Sequence, residues 1–275
     1  MAAKGQTDGL GDYTMCKERK SSGMKIGVQI SSVSPYLNNE HNVKESFSKV
    51  KKIGYDEIQI QWVSPDVSPE FIKSTLDEIQ MNCVGTQDYY DVVAPKFGEI
   101  LKMNELWGGQ YICVSRIPDR YRSEGNCKLL ASEINKLLER AENSGKTLAF
   151  HPIYSDYEKF GGKPLIEILL ENCSGKLQIC LDLYHVMKSG YDPADWIRKF
   201  KGRIPMVHFK DMAISEGHEI LVPVGQGILN WDSIFDACLE TGVEYCFAEQ
   251  EQWQKDPFEC LGESYDFIVK KIGNM

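Results

Sequence analysis

Eight short apolar runs, each followed by an amphipathic segment, constrain the fold of this chain more than any other feature. The runs have the length of strands and lie at 25–30, 57–62, 83–88, 111–116, 147–152, 177–182, 205–210 and 245–250. An eightfold alternation of strand and helix predicts an α/β fold, a single (β/α)8 barrel of parallel strands. A doubly wound open sheet would carry a glycine-rich phosphate-binding turn after an early strand, and the sequence contains none.

The segments between the runs carry helix start signals. Ser68-Pro69, Asp192-Pro193 and Asp256-Pro257 each place a capping side chain directly before a proline that suits the first helical position. Asn230 is a further N-cap candidate, and apolar residues at helical spacing predict a helix over 124–143.

Residues 1–23 differ from the rest of the chain. They are polar, rich in Gly, Ser and Lys, and show no apolar period. We interpret them as a disordered leader, or as a mis-assigned start with the true one at Met24. The barrel is then one domain over 24–275, close to the ~250 residues typical of this fold.

Composition limits the possible partners. The formal charge of −9 argues against nucleic acid, which is bound largely through basic residues. No stretch approaches the ~18 apolar residues of a membrane span, and no signal peptide is visible. The nine cysteines are odd in number and contain no CxxC pair. They are expected to be free thiols, which favours a cytoplasmic location.

Four of the apolar runs end abruptly in residues that ligate metals or transfer protons. These residues are His151, Asp182, His208 and Glu249. Because equivalent ends of consecutive barrel strands converge, the four side chains are expected to surround one divalent cation. Two imidazoles and two carboxylates suit Mn²⁺, Co²⁺ or Zn²⁺, and suit Mg²⁺ less well. Any one of them alone is more often structural, but four in register favour the ligand interpretation.

Further candidates for chemistry lie beside these ligands. Lys210 and Glu251 each follow a ligand by two residues and therefore share its face of the strand. Lys210 is expected either to stabilise negative charge on substrate or to pair with a neighbouring carboxylate. Asp211 is expected to hold His208 or Lys210 in place.

Residues near the other strand ends suit a polyhydroxylated substrate, which needs directional partners for its hydroxyls and flat faces for its C–H groups. The substrate-binding candidates are His185, Arg116, Gln61, Gln87, Tyr154 and Trp253, with Gln29, Trp62 and Asp88 as further rim positions. His41 and His218 lie in polar stretches and are expected to be surface residues.

Several motifs together resemble the xylose isomerase-like superfamily of TIM barrels. They are MKIGVQI, KIGYDEIQI, LDLYHVMKSGYDPADWI, VHFKDM and PVGQGILNW. The resemblance covers the chain from Met24 to its end. The chain is most similar to sugar phosphate isomerases/epimerases, with D-tagatose 3-epimerase and inosose dehydratase as relatives. The resemblance implies one divalent ion, often Mn²⁺ or Co²⁺, and a dimer in many members.

Position by position, the resemblance assigns metal ligation to Asp182, His208 and Glu249. Strand five departs from the epimerase pattern, which has a catalytic glutamate before proline where this chain has His151. Strand three has Gln87 where many relatives have histidine. Metal binding survives these departures, whereas the two-glutamate mechanism does not carry over directly.

The sequence thus predicts a divalent-metal-dependent sugar or keto-sugar isomerase/epimerase acting through a metal-stabilised enediolate. Glu249 or Glu251 would remove the proton, and Glu251, Asp156 or Glu158 would return it. The alternative is a lyase or dehydratase that acts on a keto-inositol or 3-keto-glycoside through the same enolate. A metal-dependent apurinic endonuclease and a non-catalytic sugar-binding barrel are less favoured. The expected partner is a small carbohydrate, without nucleic acid or membrane, and a homodimer is possible.

Overall fold

The computed structural model describes residues 23–273, and these form the barrel that the sequence predicts. The leader predicted at 1–23 lies outside the described residues except for Gly23. The barrel strands are β1 (Lys25–Gln29), β2 (Glu57–Ile60), β3 (Asn82–Tyr89), β4 (Tyr111–Ser115), β5 (Thr147–His151), β6 (Gln178–Asp182), β7 (Met206–Phe209) and β8 (Tyr245–Ala248).

The barrel is closed by pairing of its first and last strands. All eight strands run parallel, each paired with its neighbours in sequence, and β1 pairs with β8. The register places Val28 opposite Ala248, and Asp182 opposite His208. The carboxyl ends of all eight strands therefore meet at one rim.

Helices pack around the outside of the barrel. They are α1 (Glu40–Ile53), α2 (Pro69–Ile79), α3 (Tyr90–Val93), α4 (Phe97–Trp107), α5 (Glu124–Asn143), α6 (Leu165–Asn172), α7 (Leu183–Lys188), α8 (Pro193–Lys199), α9 (Trp231–Thr241) and α10 (Pro257–Gly273), with 3-10 turns at Ile30–Tyr36, Asp119–Tyr121 and Tyr154–Tyr157.

The predicted helix starts are confirmed by their hydrogen bonds. Ser68, Asp192 and Asn230 accept from the backbone N–H three residues on, and Asp256 accepts from Phe258 and Glu259. Each cap satisfies a backbone donor that a helix start would otherwise leave unpaired.

The lower interior of the barrel is filled by side chains, so the site can lie only above it. The plug consists of Val84, Tyr111, Cys113, Ala149, Cys180, Met206 and Phe247. Gly27 is required here because a Cβ at that position would lie 2.5 Å from the Phe247 ring. The eight cysteines that the structure describes are all free thiols, as predicted, and Cys16 lies outside the described residues.

None of the helices between residues 23 and 273 is both long enough and apolar enough to cross a membrane.

The insertion after β7 forms a hairpin and a loop that fold around one carboxylate. Strands Asp211–Ser215 and His218–Val222 pair antiparallel. The buried Asp211 accepts backbone N–H bonds from Met212, Gly225, Gly227 and Leu229 and the indole N–H of Trp231. The expectation that Asp211 holds His208 or Lys210 is wrong, because both carboxylate oxygens are committed to this loop.

We predict that Asp211→Ala destabilises the protein by about 3 kcal/mol or more, because it leaves several buried donors without an acceptor. Urea denaturation followed by circular dichroism measures the free energy of unfolding. Asp66→Ala, at an exposed position, is the control and should change it by no more than about 0.5 kcal/mol. Equal effects of the two substitutions would contradict this role for Asp211.

Candidate metal centre

The four predicted ligands converge at the carboxyl ends of β5 to β8. His151, Asp182, His208 and Glu249 are all buried, and one ligand atom from each lies within 4.8 Å of the others. They come from four neighbouring strands, so strand pairing alone brings them together. The arrangement is the one that the sequence predicts.

Each histidine has one ring nitrogen bound by the protein and the other directed at the cluster. Ser115 Oγ lies 3.0 Å from His151 Nδ1, and Gln59 Oε1 lies 2.6 Å from His208 Nε2. Protons on these nitrogens leave lone pairs on His151 Nε2 and His208 Nδ1. Burial lowers the pKa of His151 to about 3, which keeps this imidazole neutral, as a metal ligand must be.

In each of the two carboxylates, likewise, one oxygen is hydrogen-bonded to the protein and the other is directed at the cluster. Asp182 Oδ1 accepts the backbone N–H of His185 at 3.0 Å, and Glu249 Oε1 accepts from Ser31 Oγ at 3.1 Å. Their second oxygens point into the cluster. Lys210 and His208 hold the pKa of Glu249 well below its usual range even though burial opposes this, so the group is ionised.

The atoms directed inward lack the partners that buried polar atoms normally have. Among residues 23–273, His151 Nε2 and Asp182 Oδ2 have no hydrogen-bond partner. His208 Nδ1 faces Glu249 Oε2 at 2.8 Å, and two lone pairs at this distance repel unless a proton or a cation lies between them. Such atoms are costly to bury, and a shared cation would satisfy all four.

These donors fit a divalent metal ion. Two imidazole nitrogens and two carboxylate oxygens form a set used by Zn²⁺, Mn²⁺ and Co²⁺. The three clustered carboxylates of Asp182, Glu249 and Glu251 and the ammonium of Lys210 have a formal charge of −2. The charge and the donor set of the cluster therefore both fit a divalent cation.

Three residues that position the ligands were missed by the sequence analysis. Gln59, Ser115 and Ser31 hold His208, His151 and Glu249 respectively. Gln59 was recognisable in part, since it precedes the rim candidate Gln61 by two residues and so shares its face of β2. The serines carry no sequence signal that separates them from ordinary polar residues.

Lys210 and Glu251 form an ion pair at the edge of the cluster. Lys210 Nζ lies 2.5 Å from Glu251 Oε2, 3.7 Å from Asp182 Oδ2 and 3.9 Å from Glu249 Oε2. The carboxylates raise the pKa of Lys210, more than offsetting its burial. Burial and the Glu249 charge raise the pKa of Glu251 to about 7. Glu251 is therefore a carboxyl group beside the cluster that is not one of the four candidate ligands.

His185 lies on α7 directly beside the ligands. Its Nε2 is 3.7 Å from Asp182 Oδ2, and burial lowers its pKa well below the usual value. Tyr154, half-exposed after β5, places its ring 5.9 Å from that of His185. Both candidates thus lie at the mouth of the cluster.

The remaining substrate-binding candidates lie near the rim with unused polar atoms. Gln87 Nε2 donates to Gln61 Oε1 at 3.4 Å, and Arg116 pairs with Asp119. Within the described residues, three buried atoms of these candidates have no hydrogen-bond partner, namely Gln87 Oε1, Arg116 Nε and Trp253 Nε1, and His185 Nδ1 has none either. Donors and acceptors of this kind suit a ligand with hydroxyl groups.

Two proposed proton donors have structural partners instead. Asp156 accepts the backbone N–H groups of Ile153 and Ile117 and pairs with Arg122, and Glu158 is exposed and pairs with the same arginine. These contacts anchor the loops after β4 and β5 and leave Glu251 and His185 as the groups available at the cluster. His41 and His218 are exposed, as predicted.

Comparison with known proteins agrees with the fold. The family model described as "Xylose isomerase-like TIM barrel" matches residues 47–269. Inosose dehydratases from Clostridium beijerinckii and Bacillus thuringiensis are each 26% identical, over 173 and 167 residues, covering 56% and 51% of this chain and 57% and 55% of those proteins. The chain thus spans little more than half the length of these curated relatives.

Solved structures share the fold at lower identity. A sugar phosphate isomerase/epimerase from Parabacteroides distasonis has a TM-score of 0.74 at 19% identity, covering 91% of this chain and 95% of that one. An IOLI protein with a bound zinc atom has a TM-score of 0.72 at 15% identity, covering 91% and 99%. With the closed barrel and the match over 47–269, the chain belongs to the xylose isomerase-like TIM barrel family.

Proposed function

We propose that this protein is a divalent-metal-dependent isomerase or epimerase of a sugar or keto-sugar. The observation that carries the proposal is the set of four inward-directed ligand atoms beside the Lys210–Glu251 pair. The relatives include an L-ribulose 3-epimerase at the level of fold, with a TM-score of 0.71 at 16% identity.

His151, Asp182, His208 and Glu249 would hold the cation, which supplies Lewis-acid polarisation of a carbonyl oxygen when bound. The chain itself provides the remaining electrostatics. Lys210 Nζ, held between three carboxylates, keeps its positive charge and can donate to an oxygen that becomes negative during proton abstraction.

Proton transfer is assigned to Glu251 and substrate positioning to His185, both beside the cluster. Glu251 would remove the proton next to the carbonyl, because its carboxylate is near the cluster and is not needed as a ligand. Once protonated, Glu251 would return the proton at the neighbouring carbon, and His185, whose Nδ1 has no partner among the described residues, would hydrogen-bond a substrate hydroxyl. Removal and return by one group move the proton between adjacent carbons of the enediolate.

A β-elimination is the second candidate. It needs only one base, and Glu251 is the one carboxyl group among residues 23–273 that lies beside the cluster without a ligand atom directed into it. The curated relatives are inosose dehydratases, and their similarity supports this alternative. The substrate would then be a keto-inositol or a keto-glycoside.

A multi-zinc endonuclease is disfavoured. One cluster of three or more metal-ligating residues occurs in the described part of the chain, whereas that chemistry requires several ions. The net charge of −9 also opposes binding to nucleic acid.

We predict that Asp182→Ala and His208→Ala remove a metal ion that the unmodified protein binds at about one equivalent. Elemental analysis after incubation with Mn²⁺, Co²⁺ or Zn²⁺ measures the content. His218→Ala, which removes an exposed imidazole, is the matched control and should retain the ion. A protein that takes up no metal under these conditions would refute the proposed function.

Gln59→Leu should weaken metal affinity about 10- to 100-fold, because His208 loses the acceptor that fixes its ring and its tautomer. Competition with a metal-sensitive chelator gives the affinity. Gln178→Leu, on β6 at the opposite end of the barrel, should leave it unchanged. If both variants bind the ion equally well, Gln59 does not position His208 for metal binding.

Glu251→Gln should slow turnover about 10²- to 10⁴-fold while the metal is retained, since it removes the proposed base and not a ligand. Incorporation of solvent deuterium into a panel of ketoses and keto-glycosides, followed by NMR, reports proton transfer. Glu244→Gln, exposed at the other end of β8, is the control.

The products of this assay separate the candidate functions. An isotopically labelled isomer supports the isomerase, and release of water or of an aglycone supports the lyase. Metal binding without exchange on any of these sugars would instead favour a binding protein.

A further inference from the structure

An open apolar groove lies beside the rim, outside the ring of metal ligands. It has a volume of about 480 Å³ and runs between the ends of β2 and β3 and helices α2 and α4. We call it the Trp62 groove. The residues that line it include Trp62, Gln87, Val92, Ile100, Met103 and Trp107. Protein interiors are close-packed, so an unfilled apolar space of this size is suited to a ligand.

The mouth of the Trp62 groove exposes aromatic and aliphatic surface. Trp62 and Val92 are 40% and 38% exposed, and the rings of Trp62 and Tyr89 lie 6.5 Å apart. Trp62 also has a φ of +58°, a left-handed conformation that a bulky residue adopts at a cost in energy. Strain of this kind is found at ligand-binding positions, and here it accompanies an indole ring at the groove mouth.

The groove also contains a buried polar side chain, that of Gln87. Gln87 is 5% exposed, and its Oε1 has no hydrogen-bond partner in the described part of the chain. The charged residues that line the groove are Asp88, Lys96 and Glu99, which sum to −1. An anionic group is therefore disfavoured, and a neutral apolar group that presents a hydroxyl is favoured.

The groove is connected to the metal centre through β2. Gln59 hydrogen-bonds His208, and Gln61, two residues further on, lines the groove. Residues two apart along a strand are separated by about 7 Å. A ligand with its reacting carbon at the centre can therefore extend over the Gln61–Gln87 pair into the groove.

We propose that the Trp62 groove binds the aromatic aglycone of a neutral glycoside whose sugar ring reacts at the metal centre. The assignment of the reacting sugar rests on the proposed function. Trp62 offers a face for stacking on the aromatic ring, Ile100 and Met103 line the apolar wall, and Gln87 Oε1 accepts a hydrogen bond from a ligand hydroxyl.

The test compares two probes that differ only in the aglycone, phenyl and methyl 3-keto-β-D-glucopyranoside. Isothermal titration of the metal-loaded protein gives their dissociation constants. We expect the phenyl glycoside to bind at least about tenfold more tightly. Met103→Trp, which fills the groove, and Val92→Asp, which places a charge at its mouth, should each reduce this ratio to below about threefold. Leu239→Trp, which adds an indole on the exposed face of α9, is the control and should preserve it.

Equal affinities for the two probes, or no binding of either, would overturn the groove assignment. So would a phenyl preference that both groove variants leave intact. The proposed function is judged separately, by deuterium exchange on sugars without an aglycone. A phenyl preference that Met103→Trp and Val92→Asp abolish, in a metal-loaded protein that shows no such exchange, would sustain the groove and reject the isomerase.

Discussion

Pairing of β1 with β8 closes the barrel, and the geometry of the rim follows from this contact. It closes the sheet, so that strand ends far apart in sequence meet at one rim. His208 and its partner Gln59 are separated by 149 residues, and Ser31 and Glu249 by 218. An open sheet would leave β1 and β8 at opposite edges, and Glu249 would lose Ser31.

The cluster concentrates polar atoms where burial makes them costly. Each candidate ligand has one polar atom hydrogen-bonded to a neighbouring residue and one directed inward. These hydrogen bonds fix the orientation of four side chains whose inward atoms repel one another. This arrangement contributes little to the stability of the fold by itself, and its donors fit a divalent cation. Lys210 limits the cost by partly neutralising the carboxylates around it.

The site divides the rim into two halves with different chemistry. Strands β5 to β8 provide the charged centre, whereas the ends of β2 and β3 provide amides, aromatic rings and an apolar groove. Gln59 joins the two halves through its hydrogen bond to His208. Such a division suits a substrate with a polar reacting part and a less polar remainder.

The eight strands, the helix starts and the four clustered side chains could be predicted from the sequence, because periodicity, capping and abrupt strand ends are local signals. The hydrogen-bond partners of those four side chains could not, since they depend on how the strands are arranged in space. Gln59, Ser115 and Ser31 are ordinary polar residues along the chain, and they act on the ligands because closure brings distant strands side by side. Asp211 is the opposite case, in which a position next to a site residue predicted a role that the structure does not support. It follows Lys210 in sequence, but its carboxylate accepts hydrogen bonds from five donors in the following hairpin, loop and α9 and does not contact the cluster.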